Sequence, residues 1–154
     1  FVFAHGDGCD LRAYADHAFD IVHSNSVLEH VGDWSAMQRF AREVKRLAPR
    51  YFVQTPNYWF PIEPHCMLPL FHWLPRALRV RWLAHADAGL WQRAGSIDAA
   101  ARIVDGARLV SRTRFRALFD DAQLRDEKLF WLTKSFVALR MPAAGGAAAG
   151  AGAA

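Results

Sequence analysis

Ser24 and Asn25 in "FDIVHSNSVLEHV" have the character of ligand-contacting residues. Asp7 in "HGDGCD" stands between two glycines, Gly6 and Gly8, and by itself reads as a turn residue. Ser24-Asn25-Ser26 ends an apolar run formed by Phe19, Ile21 and Val22. Gly, Asp or Pro would serve a turn alone. Small side chains at the carboxyl end of a buried strand also leave room for a ligand. Glu29 and His30 follow at once, and His65 follows the next apolar run in "TPNYWFPIEPH". Both histidines are candidate general bases, because an imidazole accepts protons near neutral pH. Each residue also has a plain structural reading. Asp7 forms turns, Glu29 suits the first turn of a helix, and a histidine caps a loop or helix. His72 and His85 read as packing or surface residues, and the seven histidines show no metal-ligand spacing. Cys9 and Cys66 form neither a metal spacing nor a disulfide framework. They fit reduced thiols of a cytoplasmic protein.

The elements that must position these residues follow from periodicity. Phe1-Ala4 reads as the tail of a strand and Ala18-Ser24 as a second strand. Met37, Phe40, Val44 and Leu47 recur at helical spacing within Ser35-Leu47, and Pro49 closes that helix. Tyr51-Val53 is a third strand, punctuated by Thr55-Pro56-Asn57. A strand, a returning helix and another strand describe a parallel α/β sheet. Between Tyr58 and Ser111 this order gives way to prolines, aromatics, arginines and helical pieces, the last within Ile97-Val104. Phe115, Leu118 and Phe119 form one stripe in Thr113-Ala122. The runs Glu127-Leu132 and Ser135-Met141 are too close for a crossover and should form an antiparallel hairpin. Residues 142-154 are low in complexity, with nothing to bury, and read as a disordered tail.

The totals narrow the function classes. A chain of 154 residues suits one core, and a hydrophobic fraction of 53% excludes a disordered body. The net charge of +4 is mild and permits an anionic partner. A protein whose business is nucleic acid concentrates its charge on one face, so nucleic acid is the less expected partner. The most apolar region, Trp59-Leu78, is interrupted by four prolines, Glu63 and Arg76, so no transmembrane segment is expected. In "LPLFHWLPRALRVRWLAHA" Arg81 lies seven residues from Leu74, close to its helical face. Peripheral membrane contact is therefore weakly supported.

The order "GDGCDL", "FDIVHSNSVLEHV", "REVKRLAP", "YFVQTPN" resembles the class I S-adenosylmethionine-dependent methyltransferases, in their small-molecule branch. The resemblance covers roughly residues 1-57 and 113-141. It implies a partial Rossmann-like α/β sheet made of the family's third to seventh strands, the first two being missing. It also implies a helical insertion after the fifth strand. The core would be 1-57 with 112-141, and 58-111 would be the insertion and substrate cover. By the same resemblance Asp7 accepts a hydrogen bond from the adenine amino group, and the Gly8 N–H meets the ring. Ser24 and Asn25 lie under the methionine part of the cofactor, S-adenosylmethionine. His30 and His65 are then the candidate bases. Tyr58, Trp59, Phe60 and Trp73 either offer apolar walls to a small-molecule acceptor or fill the core of an inserted helical subdomain. The nucleic-acid and amide branches carry Asn-Pro-Pro-Tyr where this sequence has Ser24-Asn25-Ser26-Val27.

The family's first strand, glycine-rich loop and ribose-binding acid would precede residue 1. The expectation is therefore a piece of a methyltransferase that binds the cofactor poorly alone, with Phe1-Ala4 unpaired and Ala18-Ser24 left as a sheet edge. The alternative is a non-catalytic partner or interaction domain with the same fold.

Overall fold

The computed structural model describes residues 2-141. The reading of 142-154 as a disordered tail lies outside the described residues, as does the first residue of the strand expected at Phe1-Ala4.

β1 (Val22–Asn25) runs parallel to β2 (Tyr51–Pro56), with Val22 opposite Tyr51 and Asn25 opposite Gln54. α1 (Trp34–Leu47) makes the crossover. Its start is set by Asp33, whose Oδ1 accepts the Ala36 N–H at 2.9 Å. Its inner face is the expected one: Met37, Phe40, Val44 and Leu47 are all buried, joined by Ala36 and Ala41. β3 (Gln123–Leu129) and β4 (Leu132–Arg140) form an antiparallel hairpin as expected but with other bounds. The first strand starts at Gln123 rather than Glu127, the turn falls at Phe130 and Trp131, and the second strand starts at Leu132 rather than Ser135. The register shifts between Glu127 and Lys128. β4 pairs antiparallel with β2, so the sheet order is β1-β2-β4-β3. Tyr51, Val53, Phe136 and Ala138 pack with α1 and with Phe115 and Leu118 of the short helix α4 (Arg112–Leu118) to form the main core.

Residues 58-111 carry α2 (Arg76–His85) and α3 (Ile97–Asp105), which pack on each other. Phe71, Val80, Leu83, Ala100 and Val104 close a second, smaller apolar cluster there. No described helix is long and apolar enough to cross a membrane.

Three further expectations are corrected. Residues 2-4 are unpaired among the described residues, as expected, but they do not keep the form of a strand tail, and Val2 and Phe3 are 98% and 95% exposed. A strand without a neighbour has no ladder to hold it. The second strand starts at Val22 rather than Ala18, because residues 16-20 are turns and bends tied to the end of α1 by His17 N–H to Arg46 O and Phe19 N–H to Leu47 O. The helix expected over Thr113-Ala122 stops at Leu118.

Candidate functional site

The carboxyl ends of the two parallel strands bring the predicted residues into two neighbouring groups. The first surrounds a cavity of about 200 Å³ on one side of β1, lined by Gly8, Val22, His23, Ser24, Asn25, Val27 and Phe40, among others. Gly8 packs closely there: a Cβ would sit 3.2 Å from the Phe40 ring, which would have to shift by a few tenths of an ångström. Ser24 is buried, and its Oγ has no hydrogen-bond partner among the described residues. Asn25 is exposed. Asp7 is exposed and accepts the Cys9 N–H at 2.9 Å, while its carbonyl accepts Asp10 N–H. This is a turn aspartate in geometry, and it does not line the cavity.

The second group forms around the two histidines. Ser26 adopts φ 54°, turning the chain out of β1 into a single 3-10 turn, Leu28–His30. That turn buries Glu29 completely against β2, where its Oε2 accepts the Thr55 hydroxyl at 2.9 Å. The other oxygen, Oε1, has no partner among the described residues. Beside it, exposed His30 places Nδ1 at 2.8 Å from the Gly106 carbonyl and Nε2 at 3.2 Å from Nε2 of His65. His65 is in turn held by buried Glu63, whose Oε1 meets His65 Nδ1 at 2.7 Å. Glu63 Oε2 accepts the N–H groups of His65 and Cys66, each at 2.7 Å.

The electrostatics follow from these contacts. Burial alone would raise the Glu63 pKa, but the hydrogen bonds from His65 and Cys66 outweigh it and hold the carboxyl below its usual range. The same Glu63 contact raises the His65 imidazole above its ordinary value, against the effect of burial. The Cys66 thiol, desolvated and facing Glu63, is pushed up to about 12 and stays protonated.

Tyr58 and Trp59 are near this group without touching it. Tyr58 lines a cavity of about 380 Å³ with Glu63, His72, Arg79 and Arg108. Its carbonyl accepts from His72 Nε2 and from the Trp73 indole N–H. Arg79 is half-buried and its Nε has no hydrogen-bond partner among the described residues. Trp59 is exposed and stands edge-on to Tyr58. Neither it nor Trp73 is buried in the second core.

Sequence reasoning missed Glu63, Thr55 and Gly106 as partners of the histidines. For Glu63 a signal existed: Glu-Pro-His places a carboxylate two residues before an imidazole, across a residue with no N–H to compete for it. Thr55 and Gly106 contribute only through the tertiary fold.

The methyltransferase-domain family matches residues 1–50. No curated protein matches the sequence. Among solved structures, a SAM-dependent methyltransferase from Methanosarcina mazei superposes with a TM-score of 0.48 at 15% identity, over 88% of this chain and 65% of its own. A protein from Bordetella parapertussis described as a candidate exported protein gives 0.49 at 14% identity, over 88% of this chain and 42% of its own. One assigned to the Zn-dependent alcohol dehydrogenases from Rhodobacter sphaeroides gives 0.51 at 10% identity, over 88% and 63%. The last likeness shows a shared fold alone. The chain spans about two fifths to two thirds of the length of these structures.

Proposed function

We propose that this chain, a relative of the class I S-adenosylmethionine-dependent methyltransferases through residues 1–50, is the acceptor-side part of an enzyme that methylates a small molecule. The observation that carries the reading is that the matched segment brings Gly8, Ser24 and Asn25 to one cavity at the carboxyl end of β1. In this reading β1, β2, β4 and β3 are the family's fourth, fifth, seventh and sixth strands, and 58-111 is a helical insertion after the fifth.

The residues present fit one side of the cofactor. Gly8 would leave room for the ring, and the unpaired Ser24 Oγ would donate to, or accept from, its polar groups. Asp7 can join them only if its turn carboxylate is shared with a ligand. When bound, S-adenosylmethionine supplies a methyl group already activated for displacement. The chain's own task is then to hold the acceptor in line and to exclude water.

The 380 Å³ cavity under residues 58-111 is the acceptor site we favour, being within the usual size of small-molecule pockets. Arg79, half-buried with an unsatisfied Nε, would take an anionic group of that acceptor. The His30–His65 pair does not line this cavity, but Glu63, which does, holds His65; the pair would receive a proton where the acceptor must lose one.

The rest of the cofactor pocket, in this proposal, belongs to strands that pair with the free edge of β1. Calorimetry should find binding of S-adenosylmethionine by the 154-residue chain weak or absent. A protein that also carries a glycine-rich strand-loop-helix should bind, and Ser24→Val should weaken it by about 1–3 kcal/mol, as expected for a lost buried hydrogen bond. Micromolar binding by the chain alone would overturn the idea of a shared pocket. Unchanged affinity in Ser24→Val would remove β1 from the site.

A further inference from the structure

We infer that Glu29, His30 and His65 form a binding site for a divalent transition-metal ion, with Zn2+ as its simplest occupant. The inference concerns ligation and stands whether or not the chain transfers methyl groups; with the ion bound, neither Nε2 accepts a proton, so ligation replaces the proton-accepting role proposed above. One donor atom from each residue lies within 4.8 Å of the others. The hydrogen bonds around them settle which atoms face inward. A carbonyl or a carboxylate can only accept, so His30 Nδ1, at the Gly106 carbonyl, and His65 Nδ1, at Glu63, must each carry the proton. In a neutral imidazole the other nitrogen is then a bare lone pair. The two bare Nε2 atoms then lie 3.2 Å apart, the rings edge to face with centroids 4.9 Å apart.

Two lone pairs at that distance repel unless a positive centre lies between them. Two imidazole nitrogens bound to one tetrahedral Zn2+ at about 2.0–2.1 Å would lie roughly 3.3–3.4 Å apart, so the observed spacing suits a shared ion. A proton on one Nε2 would also relieve the repulsion. The imidazolium would also give buried Glu29 a nearby positive charge, but it would leave Glu29 Oε1, in a residue 1% exposed, without a ligand among the described residues. A carboxylate is not buried cheaply without a counter-charge, and an ion held by both rings supplies one to that oxygen as well.

The surroundings are those of a prepared ligand set. Glu63 on His65 and the Gly106 carbonyl on His30 fix tautomer and ring orientation, and Thr55 fixes the Glu29 carboxylate. Trp91 stacks along His65, with ring centroids 6.5 Å apart, and restrains it from the side. Two imidazoles and one carboxylate suit Zn2+, Co2+ or Fe2+ better than Mg2+ or Ca2+, which favour oxygen. Three protein donors also leave a coordination position for an oxygen or nitrogen of a substrate.

The test is metal binding by the whole chain after treatment with a chelator. Zn2+ is titrated against a chromophoric competitor, and Co2+ is used for its ligand-field absorption. One equivalent should bind. His30→Ala and His65→Ala should each weaken binding by at least about 100-fold, beyond the usual effect of losing an outer partner. His30 is exposed, so His30→Ala should keep the native circular dichroism spectrum and separates ligation from folding. Nitrogen-15 spectra of the histidine rings should show Zn2+ shifting the Nε2 signals of His30 and His65 and not those of the other five histidines. No saturable binding, affinity unchanged in His30→Ala, or a proton between the two Nε2 atoms that persists in excess Zn2+ would each overturn the site.

Discussion

Gly89 has no chemistry, yet it holds the segment that carries His65. It lies at φ 59°, and a Cβ there would overlap the Cys66 carbonyl oxygen. That oxygen accepts the Leu90 N–H at 2.8 Å, which ties the turn at Gly89 to the Glu63-Cys66 loop. Gly89→Ala should therefore lower stability by roughly 1–3 kcal/mol from backbone strain alone. A urea midpoint unchanged from the parent chain would show that the loop gives way freely. At this scale the sequence was legible in part. His30 and His65 stand out by type and by following apolar runs, but their meeting across 35 residues does not. The contact depends on the crossover through α1 and on the Glu63 hydrogen bonds, neither of which residue spacing encodes. Asp7 misled in the opposite direction, because the same residue suits a ligand carboxylate and a turn, and here it makes the turn.

At the scale of elements, α1 was readable because its burial follows one helical face, and the hairpin because two short runs leave no room for a crossover. The strand starting at Ala18 was not, since Phe19 and Ile21 are apolar yet exposed, at 42% and 53%. What fastens these elements together is polar. Arg140 at the end of β4 donates to the carbonyls of Lys45, Ala48 and Pro49 at the end of α1, and lies over the Tyr51 ring at 4.8 Å. Asp121 sits in the middle of this group. Burial alone would raise its pKa. Hydrogen bonds from Tyr51 Oη at 2.5 Å and Arg140 at 2.6 Å, with Lys45 at 3.3 Å, outweigh that and hold it below the usual carboxylate range. The unfolded chain takes up this proton near pH 3.9, roughly the free aspartate value, and the folded chain only at lower pH. The stabilisation is thus present above that value and lost as pH falls through the folded pKa. Comparing urea midpoints at pH 6 and pH 3, Asp121→Asn should lose less stability on acidification than the parent. Equal losses would mean that Asp121 is not depressed.

The whole molecule is a sheet with one unguarded side. Among the described residues β1 has a neighbour only in β2, and the four-stranded order places it at the edge. Val22 and Ser26 send their N–H groups to the carbonyls of Arg50, just before β2, and Gln54 within it. Strand alternation then turns the backbone groups of His23 and Asn25 outward, to the free edge. Edges are normally blunted by lysine, proline or a bulge, and β1, with the sequence Val-His-Ser-Asn, has none of these. In the proposed function the buried Ser24 belongs to a shared pocket, and β1 gains a partner on that side. Native-state hydrogen exchange measures this directly. In dilute solution the amides of His23 and Asn25 should exchange much faster than that of Ser24, which faces β2. Raising the concentration should slow them if two edges pair, and adding the proposed cofactor-side strands should slow them without any dependence on concentration. Protection of His23 and Asn25 equal to that of β2 in a dilute monomer would show that the edge is already covered, and would remove the structural reason for a shared pocket.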